Sequence, residues 1–505
     1  MNIQTFAAID IGSFELTMKI YEFSGKNHMR EVDYISRRLD LGTDTYSRGK
    51  ISNDKMDELC RTLNEFRDIM KTYRVEEYHV CATSAIRETE NITIVQDQIA
   101  QRTGMNIEVL SNSEQRFLDY KAVAARGEAF RRIIQEKTAI LDIGGGSIQL
   151  SLFENEKLVS TQNLRLGVLR IYEFLNRYAQ KSSQYENIID EMAMAQLEIY
   201  KKLYLKDREI KNLIVIDDYI SPIALRRARG DVSKTVISTE EFATILEQLK
   251  NKSFFTEEST PLIFISAVLI NRIAELMEAK SIWMPGASLC DGMAYEYAEK
   301  MKMFQGEHDF EEDIIACAMN ISKRYMGSRK RAETLENISI TIFDAMKKIH
   351  GLKKRERLYL RLAAILHDCG KYISMVNIGE TSYQIIMATE IIGLSHTERE
   401  IVANVVRFNH SPFVYYGQQT TRGLDRDAYM IVAKLTAILR LASGMDRSHK
   451  QKLSGLKGTL KDNQLLLTID TQEDITLEKG FFEDREEFFK EVFSIKPVLK
   501  QYKEL

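Results

Sequence analysis

Cysteine, proline and tryptophan are scarce in this chain: five, five and one among 505 residues. The cysteines (Cys60, Cys81, Cys290, Cys317 and Cys369) are scattered, odd in number and never spaced CxxC. That pattern excludes a disulfide framework and a zinc knuckle, and it fits a reducing, cytoplasmic setting. So few prolines, with no low-complexity stretch, imply short linkers. No apolar run approaches the roughly 18 residues a membrane span needs. The longest, residues 262–270, reads as a core helix, and the opening residues show no basic-then-apolar leader. No membrane partner is expected. The formal net charge of −3 gives the whole molecule no attraction for polyanions, so no nucleic-acid partner is expected and an anionic substrate would need local basic patches. The basic runs are Arg226/Arg227/Arg229, Lys323/Arg324 with Arg329/Lys330/Arg331, and Lys353/Lys354/Arg355. Taken singly, each is the solvated face of a helix more often than a binding patch.

Two short turns stand out against this ordinary background. The first is AIDIGS at residues 8–13, and the second is AILDIGGGS at residues 139–147. Each is an apolar strand, an Asp, then glycine and a hydroxyl, followed by an outgoing strand. Glycine lets backbone N–H groups approach an anion closely, and the Asp can hold a cation or its water beside it. One such turn says little. Two of them point to a duplicated phosphate clamp and to phosphoryl compounds as the substrate class.

Alternation of strands and helices implies layered α/β architecture over the first 300 residues. Strands are expected at 6–11, 16–21, 28–39, 77–82 and 106–110, with helices at 52–71, 92–103 and 113–125. A second α/β unit begins at 138, with helices at 167–180, 185–206, 239–251 and 261–279 and a strand at 212–216. From about residue 304 the pattern is helical (309–324, 329–350, 354–368, 379–391, 395–409 and 425–443). The last stretch returns to alternation, with strands at 464–470 and 474–477 and a helix at 482–491.

The turns, with ATSAIRETEN (82–91), IEVLSNSEQ (107–115), LRLGVLR (164–170) and AAILHDCGKYIS (363–374), occur in one order along the chain. In that order they resemble the motifs of the Ppx/GppA exopolyphosphatase and guanosine pentaphosphate phosphohydrolase family. The resemblance implies an α/β fold of two actin-like, ribonuclease H-like lobes (1–125 and 126–302), then an all-α HD-like domain (303–450) and a small C-terminal α/β domain (451–505). It implies release of terminal phosphate from inorganic polyphosphate or guanosine pentaphosphate (pppGpp), a divalent cation such as Mg²⁺, and a homodimer. Polyphosphate is the favoured substrate, since it needs a basic channel but no pocket for a base. By the same resemblance Glu114 is the base that activates water. Asp10 and Asp142 hold the metal. Gly12, Ser13, Thr83, Ser84, Arg87, Gly144, Gly145, Gly146 and Ser147 bind phosphate. Read on its own, Glu114 is also a plain helix-start acid, and Arg87 a surface ion pair with Glu88 or Glu90.

The chain departs from the family pattern at Phe14, Glu15 and Thr17 in the first loop, at Gln149 in the second, and at Asp217, Asp218 and Cys290–Gly292. These changes motivate a rival reading, a polyphosphate- or alarmone-binding regulatory protein without turnover; an ATP-using kinase is a third. The HD-like segment keeps His367 and Asp368, but its first His falls at about Arg331. Glu380, Thr381 and Ser382 stand at the downstream ligand region, and the final Asp is Asp446 or is replaced by Ser443. A structural role, or a basic wall for the substrate, is expected there and not a second hydrolase, with His367 a buried, hydrogen-bonded histidine.

Overall fold

The computed structural model describes residues 3–25, 28–178, 184–228, 232–250, 260–304, 306, 308–418 and 423–502. These form two compact units, Met1–Asp309 and Phe310–Leu505.

The first unit contains two sheets built on one plan. In the first, β1 (Ile3–Ile11), β2 (Glu15–Ser24) and β3 (Met29–Arg38) form an antiparallel meander. β4 (Glu77–Ala82) and then β5 (Glu108–Val109) add to β1 in parallel, giving the order β3-β2-β1-β4-β5. The second repeats this. The meander is β6 (Thr138–Ile143), β7 (Ile148–Glu154) and β8 (Lys157–Leu164), β9 (Asn212–Asp217) lies parallel to β6, and β10 (Val236–Ser238) and β11 (Ser281–Trp283) complete the order β10-β11-β9-β6-β7-β8. The central strand β6 is buried throughout and β1 over most of Phe6–Ile11, as strands covered on both faces must be. Each runs into one of the two glycine turns.

Expected helices are found at Asn53–Thr72, Ile92–Thr103 and Asn112–Ala124, and the apolar run at 262–270 lies within the core helix Thr260–Met277. Among the helices that were not expected is Leu41–Arg48. It has no apolar periodicity, and the residue before it, Asp40, is left-handed at φ 52°. The helix Leu289–Lys300, which the sequence reading did not mark, packs on the first sheet. Its Leu289, Cys290, Met293, Ala294 and Ala298 share a core with Phe6, Ala8, Cys81 and Leu118. Asp291 fixes it there. Its carboxylate accepts from Lys19 Nζ at 3.1 Å, Tyr21 OH at 2.7 Å and Ser288 N at 2.8 Å.

The second unit opens with helices Phe310–Arg324, Arg329–Ala345, Lys354–Leu366, Ile378–Ala388, His396–His410 and Arg426–Met445. The last is the one helix among the described residues long and apolar enough to cross a membrane, and most of it is buried within the fold. The unit ends in β12 (Ser454–Lys461), β13 (Gln464–Asp470), the helix Thr476–Phe493 and β14 (Lys496–Tyr502). β12 and β13 pair antiparallel, and β14 joins β13 in parallel after the helical crossover. The strand expected at 474–477 is the start of that helix, because the Asp474 carboxylate accepts from Thr476 N at 2.9 Å and turns the chain.

Candidate active site

β1 and β6 deliver Asp10 and Asp142 to one cavity of about 50 Å³, room for an ion and about one or two waters. Gly12, Ser13, Thr83, Ser84, Gly144, Gly145, Asp217 and Asp218 also line it. The two turns are closed alike: Gly12 N–H donates to Glu15 O and Gly144 N–H to Ser147 O, both at 3.0 Å. Those two amides are therefore used by the turns and are not phosphate donors, a correction to the expectation. In the second turn, Val168 N–H donates to Gly144 O at 3.1 Å, Leu169 N–H to Gly145 O at 3.0 Å, and Arg170 Nε to Gly146 O at 3.0 Å. In a trans peptide the following N–H points opposite to the carbonyl. The amides of Gly145, Gly146 and Ser147 thus point away from the helix Val168–Tyr178. Only glycine fits at 167, since a Cβ there would lie 2.1 Å from Gly145 O.

The hydroxyls beside the turns bond to one another. Ser13 Oγ lies 2.8 Å from Ser84 Oγ and 2.9 Å from Tyr46 OH, and Tyr46 OH donates to Ser84 Oγ at 3.0 Å. Tyr46 comes from the unexpected helix Leu41–Arg48, and no motif marked it. Across from it, Arg170 stacks on the Tyr46 ring and pairs with Glu88 at 2.7 Å.

The helix Asn112–Ala124 carries the largest surprise. Glu114 does not line the cavity. Its carboxylate accepts from Ser111 N at 2.9 Å while its own N–H donates to Ser111 Oγ at 3.2 Å, closing a capping box. The face turned to the cavity presents Gln115 and, one turn later, Asp119. Asp119 is 4 % exposed, and its Oδ2 is buried with no hydrogen-bond partner. A single acid in mid-helix reads in sequence as a solvated position, so nothing marked it.

Arg87 also lies off the cavity lining. Its Nη1 donates to Leu110 O at 2.6 Å and reaches Gln115 Oε1 at 3.4 Å, holding the loop before that helix. Gly146 and Ser147 likewise flank the cavity without lining it. Arg116, 3 % exposed, donates through Nε to Gln149 Oε1 at 2.6 Å and through Nη1 to Thr161 Oγ1, joining the helix to the second sheet. Phe14 packs against Tyr219 at 6.2 Å between ring centroids, and Glu15 accepts from Ser36 Oγ at 2.7 Å. Asp217 lines the cavity but is committed to the chain around it. Its carboxylate accepts from Ser221 N at 2.7 Å, Ile220 N at 2.8 Å and Ser266 Oγ at 2.9 Å.

Carboxylates crowded in this way resist ionisation. Asp10 is pushed up to about 7, by burial first and then by Glu15 and Asp142. Asp142 is also raised, burial outweighing the pull of Arg116. Asp119 is raised by burial first and then by the charge of nearby Asp142. Asp10 Oδ1, like Asp119 Oδ2, is shut from solvent with no partner. An all-oxygen donor set with orphaned buried oxygens fits a hard divalent cation.

In the second unit the residues of the HD-like segment meet around a guanidinium. Arg331 is 5 % exposed, its Nη1 is 3.1 Å from His449 Nδ1, and its Nε is 3.9 Å from Asp446 Oδ2. Asp446, not Ser443, is thus the acid of the cluster. His367 is fully buried, its Nδ1 2.8 Å from Ala364 O and its Nε2 3.6 Å from Asp368. Several residues of the basic runs are in ion pairs as well. Arg329 pairs with Glu333, Lys354 with Glu311, and Arg355 bidentately with Glu398. Arg229 lies outside the described residues.

Comparison with known proteins agrees with this two-unit reading. Residues 20–299 match the model of the Ppx/GppA phosphatase family, and residues 315–486 match Ppx/GppA phosphatase, domain III. A guanosine-5'-triphosphate,3'-diphosphate pyrophosphatase of Vibrio atlanticus is 22 % identical over 92 % of both chains. One of Photobacterium profundum is 22 % identical over 92 % of this chain and 91 % of its own. Among solved structures, an exopolyphosphatase from Cytophaga hutchinsonii superposes with a TM-score of 0.50 at 18 % identity, covering 60 % of this chain and 100 % of its own.

Proposed function

The chain belongs to the Ppx/GppA phosphatase family, and within it we propose a hydrolase that releases the terminal phosphate of a phosphoanhydride, with Asp119 as the group that accepts the proton of the attacking water. The family's members are phosphoanhydride hydrolases with two actin-like lobes. The observation that carries the reading is the convergence of both glycine turns, Asp10, Asp142 and Asp119 on one cavity, with Glu114 turned away into its capping box.

Asp10 and Asp142 would hold the divalent cation, which when bound would neutralise phosphate oxygens and offset the mutual repulsion of the buried carboxylates. Asp119 is then the carboxylate left to receive a proton. Water gives it that proton as its oxygen bonds to the terminal phosphorus, and the bridging oxygen leaves with the electron pair of the broken P–O bond. The amides of Gly145, Gly146 and Ser147 and the hydroxyls of Ser13, Thr83 and Ser84 donate to the transferred phosphoryl group. Reorganisation of the Ser13–Ser84–Tyr46 hydroxyls supplies the last of these donors.

Guanosine pentaphosphate is favoured over long-chain polyphosphate. A polyanion needs a row of available cations, and in these basic runs Arg331 is buried and Arg355 is held bidentately by Glu398. The relatives that span nearly the whole chain carry the pyrophosphatase name, which supports the same choice. The test is phosphate release from each compound with Mg²⁺. Release from pppGpp ahead of polyphosphate is expected, and the reverse order would overturn the substrate choice. Gln115, a non-titrating group on the cavity face, favours a second reading, in which the ligand binds without turnover. Tight binding with no release would establish it.

A further inference from the structure

On the outer strands of the first sheet, three side chains of different ligand type converge. β4 and β5 are parallel, with Cys81 opposite Glu108 in register. His79 is two residues before Cys81 and so on the same face of β4. Its Nε2 lies 2.6 Å from Glu108 Oε2 and 3.8 Å from Cys81 Sγ, and the three ligand atoms all lie within 4.8 Å of one another.

One nitrogen therefore faces both an oxygen and a sulfur, where a proton now bridges His79 and Glu108. Tetrahedral zinc, with bonds of about 2.3 Å to sulfur and about 2.0 Å to nitrogen, places those two ligands about 3.5 Å apart. The sulfur–nitrogen pair is already close to that, and the nitrogen–oxygen pair needs to open by a little over half an ångström. Access comes from one side only. The side chains of His79 and Glu108 are 38 % and 52 % exposed, whereas Cys81 is wholly buried. The donor set also differs in kind from the cleft. Sulfur and nitrogen select a borderline-soft ion, and the oxygens of Asp10, Asp119 and Asp142 select a hard one.

We propose that His79, Cys81 and Glu108 form a binding site for a divalent ion of the zinc class, separate from the active-site cation. On binding, the ion bonds to Cys81 Sγ, His79 Nε2 and a Glu108 oxygen, and the thiol proton and the His79 proton pass to solvent. A water completes the tetrahedron. The site bears on the cleft through the chain itself. Cys81 is the register partner of Asp10 on β1, and β4 runs on through Ala82 into Thr83 and Ser84. No CxxC spacing announces such a site, because its ligands come from two strands joined by the helix Ile92–Thr103.

Cobalt(II) titration of the full-length chain, with Mg²⁺ in excess to fill the carboxylate site, tests this. Thiolate ligation gives a near-ultraviolet sulfur-to-cobalt charge-transfer band that oxygen ligands cannot give. The expected result is a saturable band that zinc displaces, that Cys81→Ser abolishes, and whose cobalt affinity falls at least about tenfold in His79→Gln and in Glu108→Gln. These last two sites are half exposed, so their variants keep the fold even if Cys81→Ser does not. No band in the unaltered chain overturns the proposal, and so does a band with unchanged affinity in both half-exposed variants.

Discussion

Gly292 and Leu118 meet backbone to backbone: a Cβ on Gly292 would lie 2.0 Å from the Leu118 carbonyl oxygen. The helix Leu289–Lys300 thus crosses the helix Asn112–Ala124 as closely as two chains can, one residue before Asp119. Gly292→Ala must push the helices apart and shift Asp119 from the cavity. Overpacking of this kind costs about 1–3 kcal/mol. The expected outcome is a lowered melting temperature together with loss of phosphate release. Full activity with an unchanged melting curve would show that the crossing does not set the position of Asp119.

The hydroxyl ring gives a second expectation. Tyr46 OH touches both Ser13 and Ser84, which line the cavity, so it positions them without lining it itself. One such hydrogen bond contributes about 0.5–1.5 kcal/mol. Tyr46→Phe should raise KM by up to about tenfold and leave kcat nearly unchanged. Steady-state kinetics on pppGpp separates this from a general loss of fold, which would lower the amount of active enzyme and leave KM alone.

Stability should answer to pH in opposite senses in the two units. Asp10, Asp119 and Asp142 have raised values in the fold, so their ionised forms carry a penalty. For Asp10 the penalty is full above about 7 and fades as pH falls toward its ordinary 3.8. Metal-free protein should therefore gain protection around β1 and the helix Asn112–Ala124 as pH falls from about 7 toward about 4. Mg²⁺ should add more protection at the higher pH, and chelation should remove both the gain and activity. His367 and His410 are lowered, by burial first, to about 3 and about 4. Their neutral forms are stabilised above the ordinary 6.5, and that stabilisation is lost as pH falls from there toward the folded values. The helices Lys354–Leu366 and His396–His410 should lose protection in that window. Segment-resolved hydrogen exchange, corrected for intrinsic rates, reads both trends.

Much of this site was legible in the sequence. The paired Asp-Ile-Gly turns lie at the ends of β1 and β6, and both Asp10 and Asp142 reach the cavity. What was hidden is a matter of direction. Glu114 and Gln115 are neighbours about a hundred degrees apart on a helix, and which one faces the cleft depends on where the helix starts. The start is Ser111, which makes Glu114 the third helical residue and hence the capping partner. Asp119 then follows from Gln115 by one turn. Tyr46 was hidden because the helix that bears it has a mostly polar sequence and is held by tertiary contacts, Thr45 Oγ1 donating to Ala85 O and Gly42 N–H to Ser13 O.

Arg331 offers a check on the helical unit. It stands buried among His449, Asp446 and Asp368, occupying with a fixed charge the place a metal would take among such ligands. Arg331→Ala leaves buried acids unpaired and should cost about 3–5 kcal/mol. Phosphate release per folded molecule should hold, because the cavity at Asp10 and Asp142 is built from described residues of the first unit. A drop in kcat at unchanged stability would contradict the structural role.

The most direct measurement compares Mg²⁺-dependent phosphate release from pppGpp by the unaltered chain, Glu114→Ala and Asp119→Asn. Losing the capping-box acid should cost about 1 kcal/mol of stability and leave kcat within about tenfold. Losing the proton acceptor should lower kcat by about 10²–10⁴ while the melting temperature of the metal-free chain holds or rises, since a crowded carboxyl has been removed. An Asp119→Asn variant that turns over normally, beside an inactive but folded Glu114→Ala, would contradict the account and return the base to Glu114.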